Sequence, residues 1–186
     1  MLFATTLYDA VIADETLLAE LDRSIRSLAR DDEAGARWSR EHRYTGYTSY
    51  ASLNDLPRRD PSIAQLAKVL NKHAGTFAQE LGWNVKPKLD SLWVNLLRGG
   101  GHHSAHIHPH SIISGTLYVA VPKGAGAIRF EDPRLPLMMA APQRPDSFVS
   151  VEPRAGLLLL WESWLRHEVL PGVAKAERLS ISFNFA

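Results

Sequence analysis

The chain has 186 residues, 45% of them hydrophobic, which suits one ordinary domain with a buried core. Its formal charge is +1, with 21 Lys and Arg against 20 Asp and Glu, so no basic footprint for phosphate backbones or anionic lipid stands out, and neither nucleic acid nor membrane is expected as a partner. Cysteine is absent, which excludes disulfides, thiolate metal sites and a cysteine nucleophile and leaves His, Asp and Glu for any metal chemistry.

The first residues carry Asp9 and Asp14 where a signal peptide would be apolar, so a cytoplasmic location is expected. Leu17, Leu18, Leu21, Ile25 and Leu28 then recur at spacings of three and four behind Asp14, a good N-cap, and predict an amphipathic helix. The segment from Arg37 to Asn54 is polar and aromatic, and reads as irregular or weakly extended. Asp60-Pro61 supplies a cap and a first-turn proline for a second helix, with Ile63, Leu66, Leu70, Phe77 and Leu81 on its stripe and Gly82 at its end. After about Lys86 the hydrophobic period shortens to two, predicting strands at Ser91–Leu97, Ile113–Val121, Ala127–Phe130, Phe148–Val151, Leu157–Trp161 and Arg178–Phe185. Helices followed by many short strands predict an α+β domain, mainly β, with the helices packed on one face of an antiparallel sandwich or barrel.

Five of the eight histidines lie between His102 and His110. On a strand, His106, His108 and His110 would share a face, neighbours roughly 6 to 7 Å apart, close enough for two imidazoles to share one ion. Pro109 cannot join a sheet ladder and marks a bend, which favours His106 and His108 over His110. His102 and His103 lie among glycines and fit a polar loop, or a group contacting substrate. His167 follows the apolar run Leu157–Trp161 at the edge of a polar turn. The last strand alternates without a break: Leu179, Ile181, Phe183 and Phe185 on a core face, Arg178, Ser180, Ser182 and Asn184 on the other, where Arg178 and Ser180 can grip a carboxylate.

Taken in order, these residues resemble the 2-oxoglutarate and Fe(II)-dependent oxygenases, in particular a branch found in bacteria and phages. The resemblance rests on His106-x-His108-Pro109 leading into Ser114-Gly115-Thr116-Leu117-Tyr118-Val119, then Phe130-Glu131-Asp132-Pro133-Arg134. It continues through Pro153-x-x-Gly156, Ser163-Trp164-Leu165-x-His167 and Arg178-x-Ser180-x-Ser182-Phe183-Asn184, and covers roughly Trp93 to Phe185. It implies a double-stranded β-helix, the jelly-roll and cupin-like architecture, in one domain over 1–186, with 1–86 mainly helical support and 87–186 the β-helix core. It also implies Fe(II) on His106, His108 and His167, and Arg178 with Ser180 on the far carboxylate of 2-oxoglutarate. Tyr118 and Asn95 are candidates for hydrogen bonds to the co-substrate. The implied reaction is a hydroxylase-type oxidation of a small molecule or protein side chain, releasing succinate and carbon dioxide.

One departure stands out. His108 occupies the place where the family pattern has a carboxylate, so three imidazoles replace two histidines and an acid unless Asp132 or Glu168 is recruited. Three histidines also suit a cupin-like dioxygenase or a zinc enzyme that does not use 2-oxoglutarate. A ligand-binding barrel whose metal is structural, closed by His110, is the non-catalytic alternative.

Overall fold

The computed structural model describes residues 4–134, Pro142 and residues 147–186. Helix α1 (Glu15–Asp31) starts where the Asp14 side chain accepts the Leu17 N–H at 2.9 Å, and it buries Leu17, Leu21 and Ile25. Helix α4 (Pro61–Glu80) starts at Asp60, whose carboxylate accepts the Ser62 and Ile63 N–H groups, and it buries Ile63, Leu66, Leu70 and Phe77. Both helices lie where the sequence pattern puts them.

The segment between them differs from the expected irregular chain. Helix α2 (Glu33–Glu41) runs into it from an Asp32 cap, strand β2 (Gly46–Thr48) crosses it, and a single turn, α3 (Leu56–Arg59), follows it. Helix α2 has no apolar stripe, and β2 has three residues, so neither leaves a periodic signal.

The remaining strands are β1 (Tyr8–Val11), β3 (Leu89–Leu97), β4 (His103–His106), β5 (Ile113–Ala120), β6 (Ile128–Glu131), β7 (Phe148–Val151), β8 (Leu157–Glu162), β9 (His167–Val169) and β10 (Arg178–Phe185). They form a six-stranded sheet ordered β1-β8-β5-β10-β3-β2 and a four-stranded sheet ordered β4-β9-β6-β7, every pair antiparallel. From β3 onward the chain passes repeatedly between sheets: β3, β5, β8 and β10 in the large one, β4, β6, β7 and β9 in the small one. That winding is the double-stranded β-helix expected from the sequence. The large sheet also draws β1 and β2 from the first 86 residues.

Strand β10 sits between β3 and β5 and has two buried faces. Leu179, Ile181, Phe183 and Phe185 are 0% exposed and pack in one apolar cluster with Leu21 and Ile25 of α1 and Leu66, Leu70 and Phe77 of α4. Burying each such side chain contributes about 1.5–3 kcal/mol. Gly115 of β5 has to be glycine, because a Cβ there would run into the Phe183 ring and the Leu159 carbonyl oxygen. The opposite face of β10 looks into the space between the sheets. Among the described residues, no helix is long and apolar enough to cross a membrane.

Candidate metal centre and its anion pocket

The expected strand through His106, His108 and His110 ends at His106. Beyond it the chain turns: the His108 N–H donates to the Ser163 carbonyl at 3.1 Å, and His110 is exposed with φ 71°. His106 and His108 therefore do not converge by strand alternation. They converge because the turn folds His108 back toward β9, where His167 pairs with His106. One ring nitrogen from each of His106, His108 and His167 lies within 4.8 Å of the other two. The ring centroids are 4.4 Å apart for His106 and His167, 5.0 Å for His106 and His108, and 5.2 Å for His108 and His167.

Backbone carbonyls fix two of these rings. His106 Nδ1 donates to the Ser104 carbonyl at 2.7 Å and His167 Nδ1 to the Leu165 carbonyl at 2.9 Å, which leaves each Nε2 as a lone-pair donor. Burial, with His106 alongside, pushes the His108 pKa down to about 4. Burial pushes that of His167 down to about 3 against the opposing pull of the Leu165 carbonyl. Neutral imidazoles in a tight group suit a borderline transition-metal ion such as iron, and the donor set fits it. The two acids nearest in sequence are engaged elsewhere: Glu168 accepts from Arg129 at 2.7 Å, and Asp132 accepts from Arg134. Among the described residues, neither joins the histidine group.

The three histidines share a cavity of about 50 Å³ with Arg178, Ser180, Tyr118, Trp161 and Trp93. Arg178 is 4% exposed; one terminal nitrogen donates to the Gly126 carbonyl at 3.1 Å, and its guanidinium carbon lies 5.6 Å from the Tyr118 ring centre. Its Nε is buried without a partner, and no carboxylate pairs with Arg178 among the described residues. A desolvated guanidinium without an acid is costly, and the cavity is therefore suited to an anion. Tyr118 is 1% exposed, and burial pushes its pKa up to about 12, so it offers a protonated hydroxyl.

Asn95 lies behind the cavity wall. Its side-chain oxygen accepts from Thr48 at 2.8 Å and its amide donates to Ser182 at 3.1 Å. His103, which the sequence leaves among the polar loop residues, lines the cavity and shares a 2.9 Å hydrogen bond between its Nε2 and the Tyr44 hydroxyl. Burial and the Arg178 charge push its pKa down to about 3. Between His103 and His106 the ladder slips: three steps along β4 match two along β9, from Val169 to His167. That bulge turns both histidines to one face, and no regular period in the sequence encodes it. On the outer side, the Trp93 ring lies 6.0 Å from His108 and 5.3 Å from Tyr50, which is 61% exposed. Sequence reasoning missed Trp93 as a wall of the site: it shares a face of β3 with Ser91 and Asn95, opposite Leu92, Val94 and Leu96, and that alternation marks a strand without marking a cavity.

A family model described as "Putative 2OG-Fe(II) oxygenase" matches residues 91–184. No curated protein matches the sequence. Among solved structures, the fold is similar to a prolyl-4-hydroxylase from Pseudomonas putida, at 20% identity and a TM-score of 0.65 over 98% of this chain and 93% of that one. It is also similar to SnoN, a non-heme alpha-ketoglutarate-dependent epimerase from nogalamycin biosynthesis, at 16% identity and a TM-score of 0.69 over 97% of this chain and 76% of that one. HygX from Streptomyces hygroscopicus, solved with nickel and 2-oxoglutarate bound, aligns at 15% identity and a TM-score of 0.60 over 98% of this chain and 82% of that one. With the family match covering just over half of the chain and the same β-helix in all three structures, the protein belongs to the 2OG-Fe(II) oxygenases, enzymes that use iron and 2-oxoglutarate.

Proposed function

We propose that His106, His108 and His167 hold the iron of this oxygenase and that Arg178 and Ser180 hold the far carboxylate of 2-oxoglutarate. The observation that carries this reading is one small cavity shared by three neutral imidazoles and a buried guanidinium without an acid. When bound, iron and 2-oxoglutarate together supply the oxidising power for a hydroxylase-type reaction, with succinate and carbon dioxide as co-products. The chain supplies the rest. The Ser104 and Leu165 carbonyls keep two rings aimed with Nε2 free, and Tyr118 and Ser180 offer hydroxyls beside the Arg178 charge. Asn95 acts from behind the wall, donating its amide to Ser182 while its oxygen accepts from Thr48. Trp161, 2% exposed with its ring 4.7 Å from His167, would help to keep water from a metal held there.

The substrate is a small molecule or a protein side chain that enters past Trp93 and Tyr50. A cytoplasmic setting belongs to the same proposal and rests on a sequence without cysteine, as suits a reducing compartment. The test is an anaerobic Fe(II) titration of the metal-free protein with and without 2-oxoglutarate. The expected result is a weak visible charge-transfer band that needs both components and disappears in His167→Ala. Iron uptake with no band would sink the co-substrate assignment, and an unaltered band in His167→Ala would sink the ligand assignment.

A further inference from the structure

We propose that His103, held by Tyr44, is a further binding residue of the anion pocket and donates its Nδ1–H to the carboxylate that Arg178 draws in. This rests on the reading of Arg178 as the anchor for the far carboxylate of 2-oxoglutarate.

Three observations converge on His103. The first is the bulge in β4, which sets His103 on the cavity face although it stands three residues before His106, a spacing that regular alternation would send to the opposite side. A bulge gives up ladder hydrogen bonds, and here the return is a second histidine of β4, and a fourth in all, in the cavity.

The second is the hydrogen-bond bookkeeping around Tyr44. The Asn95 side-chain oxygen already accepts from Thr48 at 2.8 Å and lies 3.4 Å from the Tyr44 hydroxyl, whereas His103 Nε2 lies at 2.9 Å. In the proposed tautomer the single phenol proton lies on the shorter contact, to Nε2, and the neutral imidazole carries its own proton on Nδ1. That N–H has no partner among the described residues. The third is its company: His103 lines the same small cavity as Arg178, Ser180 and Tyr118, all of them donors, in a space where Arg178 has no acid. A donor added to that group favours an anionic ligand.

The test is calorimetric titration of anaerobic Fe(II) protein with 2-oxoglutarate and, separately, with 2-oxopentanoate, which has the same chain length and no far carboxylate. His103→Leu is expected to weaken 2-oxoglutarate roughly ten- to hundredfold and to leave 2-oxopentanoate nearly unchanged. Tyr44→Phe should weaken 2-oxoglutarate by a smaller factor, because the ring loses its orientation and keeps its donor. His103→Asn restores a donor near the Nδ1 position and should recover most of the loss. His103→Gln keeps only the far-edge donor toward Tyr44 and should not, and this pair carries the test if the leucine variant misfolds.

Wild-type affinity for 2-oxoglutarate in His103→Leu, alongside weakening in Arg178→Ala, would overturn the role of His103 alone. Equal weakening of both keto acids would overturn it too, since His103 would then act through the neighbouring iron ligands. Unchanged affinity in both variants would overturn the Arg178 anchor itself.

Discussion

On one face of β10, Leu179, Ile181, Phe183 and Phe185 meet the helices; on the other, Arg178, Ser180 and Asn184 look between the sheets, and both sets are withdrawn from water. The apolar face packs into one cluster of hydrophobic side chains. The other face includes a guanidinium nitrogen with no partner among the described residues, and the Trp161 indole nitrogen in the same cavity is in the same condition. Burial is common to the two faces, so what separates a stabilising region from a binding one is whether the buried polar groups are satisfied.

The largest effect on stability is expected behind the sheet. Phe183→Ala should cost about 3–5 kcal/mol in chemical denaturation while the fraction that stays folded binds iron as before. A loss below about 1 kcal/mol with altered iron binding would erase the contrast between the faces. Next comes Arg178→Met, which replaces a desolvated cation by an apolar side chain of similar length. The ligand-free protein should keep its stability or gain about 1–3 kcal/mol, and its affinity for 2-oxoglutarate should fall at least about tenfold. A destabilised variant with normal affinity would reverse the reading of that face.

The contrast also has a pH signature. In the unfolded chain His167 titrates near 6.5, whereas in the fold burial pushes it down to about 3. Between those values the unfolded state takes up a proton that the folded state does not, so this contribution to stability is complete above 6.5 and is lost as pH falls. The slope is about 1.4 kcal/mol per pH unit for this one group. Metal-free wild type should lose stability faster on acidification than His167→Leu, by about that slope. Parallel curves would mean that His167 protonates freely in the folded protein. The smallest effect belongs to a helix end outside the cavity: Asp14→Ala should cost about 1 kcal/mol through loss of the bond to the Leu17 N–H, with iron binding unchanged.

Elements that bury a regular stripe were legible from sequence. Asp14 and Asp60 mark the starts of α1 and α4, and β10 shows both its faces in unbroken alternation. The likeness to the oxygenases was legible because the motifs carrying it run in order through the second half of the chain. The region Arg37–Asn54 was not, since α2 and β2 are set by Asp32 capping and by edge pairing with β3, neither of which leaves a period. The meeting of His106 and His108 was expected for the wrong reason: alternation on a strand suggested it, and a turn held by Ser163 produces it. For His103 the sequence leaves open a polar loop or a contact to substrate, because a bulge is a shift in pairing, visible only when β9 is laid beside β4. Two residues of the motifs that carry the likeness stand outside the site: Arg134 is exposed and bonds to Asp132, and Trp164 is 47% exposed. Neither lines the cavity.

The position of β10 has a consequence for how the protein is made. It comes last in chain order, yet it lies in the middle of the large sheet, with β3 on one side and β5 on the other. Until it arrives, β3 and β5 face a gap with unpaired edges, and Arg178 has no place beside Tyr118. Those edges stay open until synthesis reaches residue 185, and because the three histidines precede β10 while Arg178 and Ser180 lie on it, 2-oxoglutarate binding rather than metal uptake would report the final step of folding.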